Sequence, residues 1–278
     1  MKKYLFMLVI VICAFVFTYF GGKDTKQTAS SVLRIGVECD YAPNNWEEKR
    51  PTNSNVPLSN QSGAYAEGYD IQVAKIVAAK AGYTLEAKKL AWDNLIPALL
   101  KGEIDAIFSG MLDSKERKKM INFSNTYEVN ETEYAVLVNT SSPYVSAKKM
   151  TDFTGAKFTG QKSTNLYAAI SQLPGAIALP AVETVQEMLD AVTSGKVDAS
   201  VINLDTGRSY ERTYNNLKVI RFPEHEGFVM GFNGICAGVR KNDTELLAKI
   251  NRALESLTKS ERRKIMDETV SRLLNNKL

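Results

Sequence analysis

The sequence predicts an α/β protein of two lobes, each a mostly parallel sheet covered by helices. Apolar, β-branched runs alternate with amphipathic segments from Val32 almost to the C-terminus, the pattern of parallel sheets. One such unit recurs. DNLIPALLKGEIDAIFSG (93–110) and QEMLDAVTSGKVDASVIN (186–203) share a plan of helix, glycine turn and acidic-Ala strand, with GEIDA and GKVDA 93 residues apart. Two copies imply two sheets. The length of 278 residues, with 44% apolar and 24% charged residues, is enough for two cores.

Composition excludes several classes. Disordered, collagen-like and coiled-coil readings fail for the chain as a whole. The net charge of +4, from 35 basic and 31 acidic residues, is small, and no Lys/Arg stripe is interleaved with aromatics, so no nucleic-acid partner is expected. Three Cys and one His cannot build a Cys/His zinc site or a disulfide scaffold.

The N-terminus reads as an export signal or membrane anchor over residues 1–22. Lys2 and Lys3 precede an unbroken apolar run from Tyr4 to Phe20. A span of 17 residues is at the short limit for crossing a bilayer. No small-x-small site lies near residue 20, and Cys13 follows Val11 and Ile12 rather than a small residue. A cleaved leader, a lipid anchor and a retained anchor all stay open. Residues 23–31 (KDTKQTASS) form a polar tether. The chain beyond the tether is expected to be exported, in the periplasm or on the outer face of the cytoplasmic membrane. Cys39 and Cys236 remain in that part; paired and free states both stay open, the free state being the commoner.

VLRIGVE (32–38) reads as a buried strand. Residues 47–67, with Pro51, Pro57, Asn53, Asn55 and Gly63, read as a long loop or hairpin. Gly68-Tyr69-Asp70 opens a helix, IQVAKIVAAKAG, that stops at Gly82. TLEAKKL (84–90) is a strand, DNLIPALLKG (93–102) a short helix and IDAIF (104–108) a strand. Asp113 and Glu116 have N-cap spacing before SKERKKMI. The second copy runs through the strands EYAVLVN (133–139) and AKFTG (156–160), a helix after Ser163-Thr164-Asn165, a capping box at Thr184–Glu187, and the strands VDASVI (197–202) and LKVIR (217–221). GICAGVR (234–240) and two amphipathic helices from Asp243 to Leu274 close the chain.

In open α/β sheets ligands bind beyond the C-terminal strand ends. Ser109-Gly110-Met111 and Asn203-Leu204-Asp205 occupy those ends, one set per lobe, so a cleft between lobes is expected. Arg117, just after one strand, offers a guanidinium fork for a carboxylate. Tyr41 and Trp92 follow strands, where flat rings can sandwich an aliphatic or cationic group. Thr164 and Asn165 begin a helix directly after a strand, a seat for an anion. No G-x-S-x-G, H-E-x-x-H or P-loop is present, and His225 lies between Glu224 and Glu226 in a Pro-containing loop. Binding, without cofactor, metal or catalysis, is the expectation.

The stretch GYDIQVAKIVAAKAGY…WDNLIPALLKGEIDAIFSGMLDSKERKKMINFSNTY, with GAKFTGQKSTNLY, GKVDASVIN and AGVRKND coming after it in order, resembles the family 3 solute-binding proteins of polar amino-acid ABC transporters. The resemblance covers residues 32–275. It implies a periplasmic-binding-protein fold of type II with two crossover strands, lobe 1 being 32–129 plus 227–278 and lobe 2 being 130–226. It further implies a monomer that closes on a small-molecule ligand and delivers it to an ABC permease in the membrane. By position, Arg117 matches the arginine on the ligand α-carboxylate, and Gly110 a backbone contact. Tyr41 and Trp92 match the aromatic walls, and Thr164 with Asn165 the lobe-2 helix start. Glu38 matches an acid that cationic-ligand members use. Leu112 replaces a usual hydroxyl residue, and Asn203 replaces the acid that meets the ligand α-ammonium, with Asp205 the candidate substitute. A cationic or polar amino acid is therefore expected. Two rivals stand beside this. One is an exported enzyme resembling cyclohexadienyl dehydratases, with Glu38, Asp205 and Glu224 as candidate acid–base groups. The other is a sensor, disfavoured because no signalling segment follows Leu278.

Overall fold

The protein is described by a computed structural model covering residues 31–129, 133–223, 225–229, 231 and 234–275. The leader, Cys13, almost all of the tether, and Glu224 lie outside the described residues.

Strand β1 (Ser31–Val37) is followed by three short pieces, β2 (Asp40–Tyr41), β3 (Asn45–Glu48) and β4 (Val56–Pro57), and by β5 (Tyr65–Glu67). These four short strands form an antiparallel sheet in the order β2-β3-β5-β4, so the region expected as a loop or hairpin is a small sheet. Helix α1 (Tyr69–Ala81) starts at Gly68 and ends at Gly82, whose left-handed backbone (φ 77°) lets its N–H reach the carbonyls of Ala78 and Ala79. Next come β6 (Tyr83–Lys89), a 3₁₀ turn at Trp92–Asn94, α2 (Leu95–Leu100), β7 (Ala106–Ile107), α3 (Lys115–Met120) and β8 (Asn122–Thr126). The cap of α3 is Ser114, one residue later than the sequence spacing suggests. Asp113 instead pairs with Lys118 at 2.5 Å.

The second half supplies β9 (Tyr134–Asn139), β10 (Lys157–Phe158), α4 (Asn165–Ala168), β11 (Ile177–Ala178), α5 (Val185–Thr193), β12 (Ala199–Asn203), α6 (Leu204–Thr213) and β13 (Leu217–Ile220). The Thr184–Glu187 capping box forms as expected. The chain closes with β14 (Cys236–Val239), α7 (Thr244–Glu255) and α8 (Lys259–Asn275). Helix α6 escaped the sequence reading because Gly207 sits in its middle. A Cβ there would come within 2.7 Å of Val219, so glycine lets α6 lie against β13.

Two five-stranded sheets result, β6-β1-β7-β14-β8 and β11-β10-β12-β9-β13. They have one topology. In each, a neighbour-paired parallel core ends at a strand, β14 or β9, that runs antiparallel to both its neighbours. The chain passes from β8 in the first sheet to β9 in the second, and returns from β13 to β14, which makes the architecture two-lobed with two crossings. The repeated acidic-Ala segment does the same job twice. Asp105 accepts from the Arg34 backbone N–H (3.1 Å), and Asp198 from that of Lys157 (2.7 Å), fastening β7 to β1 and β12 to β10. Asp105 additionally meets the guanidinium groups of Arg34 and Arg240, at 2.7 and 3.2 Å.

Glycine is required at the mouth of α1. Gly68 has φ +131°, and a Cβ there would fall on the Asn44 carbonyl. Gly68→Ala should therefore lower stability by about 2–4 kcal/mol, combining backbone strain with a main-chain clash. The urea midpoint measures it; an unchanged midpoint contradicts the assignment of strain to this turn.

Candidate functional site

The ends of β1, β7, β10 and β12 meet around one cleft. Its lining includes Glu38, Tyr41, Trp92, Ser109, Gly110, Leu112, Arg117, Thr164, Asn165 and Asn203, together with Tyr134, Gln161, Ser200 and Ile235. About 690 Å³ of empty space lies within it, part of that open to solvent, which suits a small molecule. Glu38 and Arg117 are the only charged side chains among the described lining residues.

Arg117 is 7% exposed, and burial lowers its pKa to about 10. Its Nη1 donates to the Leu112 carbonyl (2.9 Å) and its Nη2 to the Ser163 carbonyl (3.0 Å). The Trp92 ring lies 5.0 Å from the guanidinium carbon. Ser163 adopts φ +57°, and its carbonyl also accepts from Trp92 Nε1 at 3.4 Å. The guanidinium is thus held from both sheets by carbonyls and a ring. No ion pair engages it among the described residues, which leaves its charge for an incoming anion.

Glu38 also lines the cleft, at the end of β1. Its backbone N–H donates to Ser109 Oγ (2.9 Å), and its carboxylate accepts from Gln161 Nε2 (2.5 Å), a contact between the two halves. Burial pushes its pKa up to about 7, against the opposing pull of the Gln161 hydrogen bond. The Tyr41 ring covers Gly110: a Cβ on that glycine (φ +61°) would come within 2.9 Å of the ring. Below it Asp70 is wholly buried, accepts from Asn45 Nδ2 and Tyr127 Oη at 2.7 Å each, and is pushed up to about 7 by burial.

On the facing wall Thr164 caps α4, accepting from the Tyr167 N–H at 3.1 Å. The Asn165 side-chain nitrogen is buried without a hydrogen-bond partner. Asn203 caps α6, its Oδ1 accepting from the N–H groups of Asp205 (3.0 Å) and Thr206 (3.4 Å).

Two expected residues lie elsewhere. Met111 follows the left-handed Gly110 turn, which sends its side chain into the core beside Leu95, Leu99, Ile107 and Ile121. Asp205 sits in the first turn of α6 rather than at a strand end and pairs with Arg208 (3.8 Å) and Arg263 (3.6 Å) outside the cleft. His225 is exposed and not part of the lining. Gln161 and Ser163 were missed. The only sequence signal for them was their position just past the strand AKFTG. Cys39 and Cys236 are buried and free, and burial pushes both thiols up to about 12.

The family model of the bacterial extracellular solute-binding proteins, family 3, matches residues 33–270. The chain belongs to that family. It is similar to the "Arginine-binding extracellular protein ArtP" of Bacillus subtilis (strain 168), 24% identical over 266 residues, covering 92% of this chain and 93% of that one. Among solved structures it resembles an ancestral arginine-binding protein bound to arginine (TM-score 0.68, 27% identity, 86% of this chain and 97% of that one). It also resembles the ancestral amino acid-binding protein AncCDT-1, a precursor of cyclohexadienyl dehydratase (TM-score 0.70, 27% identity, 86% and 96% covered). As a member of an extracellular family the chain is exported. No helix among the described residues is long and apolar enough to cross a membrane.

Glu38 gives this solute-binding protein a measurable pH response. A carboxyl raised to about 7 in the folded state holds its proton where the unfolded chain has lost it. Stability of the ligand-free protein should therefore fall as pH rises from about 4.5 to 7, by at most ~3 kcal/mol from this group. Asp70 acts in the same direction, so the variant isolates the effect. Thermal unfolding at pH 5 and pH 8 should show a smaller difference for Glu38→Gln than for the unaltered protein. Equal differences would remove Glu38 from the account.

Proposed function

We propose that this solute-binding protein captures an amino acid with a cationic side chain, arginine or lysine, in the cleft and delivers it to an ABC permease. The observation that carries the reading is one buried guanidinium and one buried carboxyl, Arg117 and Glu38, lining a single cleft. Arg117 takes the ligand carboxylate through its fork. Trp92 and Tyr41 flank the aliphatic stem, and Glu38 meets the distal cation. A cationic ligand would restore the ionised form of Glu38 and release a proton, so binding strengthens as pH rises through 7. The names of the relatives, several of them arginine-binding, support the same ligand class.

Residues 32–129 with 227–278 form one closing body and 130–226 the other, hinged at the two crossings. Export places the protein in the periplasm or on the outer face of the cytoplasmic membrane. Transport, not turnover, is the activity. A group near pKa 7 is what a general base needs, and the likeness to a dehydratase precursor keeps that alternative in view. Yet Glu38 is engaged by Gln161, and Asp205 stands outside the cleft.

Thermal-shift measurement over the twenty amino acids tests the ligand class. Arginine or lysine at a hundredfold excess over its Kd should add about 2.7 kcal/mol of stability. Calorimetry of Arg117→Ala with that ligand should show a loss of about 3–5 kcal/mol in binding, as expected when one member of a buried charge pair is removed. Stabilisation by acidic or apolar amino acids alone, or binding by Arg117→Ala within threefold of the unaltered protein, would overturn the proposal.

A further inference from the structure

A cationic amino acid carries two positive charges and one negative. The cleft lining supplies Arg117 for the carboxylate and Glu38 for one cation, and no second acid among the described residues. Asn203 does not fill the gap. Its Oδ1 already accepts two backbone N–H groups of α6, and its Nδ2 is a donor. That donor points to the missing charge: Asn203 Nδ2 reaches Glu128 Oε1 at 2.6 Å.

Glu128 is half-buried in the first crossing, between β8 and β9. Its other oxygen accepts from the backbone N–H of Ile235, a cleft-lining residue of the second crossing, at 3.2 Å. The carboxylate therefore lies one side chain behind the cleft wall, tied to both crossings and to the end of β12. Its field reaches the cleft floor, where it adds to the upward shifts of Tyr41 and Asp70. Arg208 and Arg221 share the small cavity on its outer side, where Arg208 meets Asp205 and Arg221 meets Glu133. Lys259 also lines that cavity.

We propose that Glu128, positioned through Asn203, supplies the negative charge that selects for the ligand α-ammonium at this end of the cleft. This deepens the amino-acid reading above and rests on it. A charge acting across one intervening side chain in a partly dry site favours a cation there without direct contact. Glu128 is thus a positioning and specificity residue, while Glu38, tied to Gln161 and Ser109, serves the far cation.

The test compares each amino acid with the same molecule lacking its α-amino group: L-arginine against 5-guanidinopentanoate, L-lysine against 6-aminohexanoate, L-glutamine against 4-carbamoylbutanoate. Glu128→Gln keeps the shape and a partner for Asn203. It should weaken binding of the amino acid by ~10–100-fold, the scale of one screened charge at close range, and leave the deamino compound within threefold. The double variant Glu128→Gln/Asn203→Asp moves the acid to the wall and should recover most of the loss. Equal weakening of both compounds would assign Glu128 a merely structural role and overturn the proposal, as would full retention of amino-acid binding by Glu128→Gln. If the unaltered protein binds none of the three amino acids, the amino-acid reading falls first, and this inference with it.

Discussion

Arg117 keeps a full positive charge at 7% exposure, and its fork is held by carbonyl dipoles and a ring face. Removing a guanidinium from water is costly unless its hydrogen-bonding positions are met. The surroundings of the cleft follow from meeting them. Leu112 contributes a carbonyl rather than a side chain. Ser163 adopts a left-handed backbone, a strained state for a serine, that goes with its carbonyl facing the guanidinium. Trp92 is fixed on the same carbonyl. Carbonyls satisfy geometry without neutralising charge, so a carboxylate that replaces one of them gains the Coulomb interaction they cannot provide.

The two sheets place that local chemistry between two halves of the chain. Because the chain crosses between the sheets just before β9 and again before β14, the cleft lies where both crossings run, and its walls belong to different halves. Glu38 with Gln161, Asn44 with Thr206 at 3.1 Å, and Arg117 with Ser163 join the halves.

Much of this was legible in the chain. GEIDA and GKVDA foretold two sheets, and the reason is physical: Asp105 and Asp198 each fasten a strand to its parallel neighbour, so the residue recurs wherever the unit does. Glycine stops and the Thr184 box marked helix ends because capping is local. What depended on chain direction after a strand was not legible. Met111 turned inward because Gly110 reverses the backbone, and Asp205 left the cleft because Asn203 starts a helix there. Gln161 and Glu128 meet their cleft-wall partners 123 and 75 residues away, contacts no local pattern encodes.

A crystal structure of the protein with L-arginine bears most directly on the central claim. The account predicts the ligand carboxylate on both outer nitrogens of Arg117, displacing the Ser163 carbonyl, with the ligand side chain running past Trp92 to an ionised Glu38. Arginine bound with its carboxylate away from Arg117, while that guanidinium stays on Leu112 and Ser163, would contradict it.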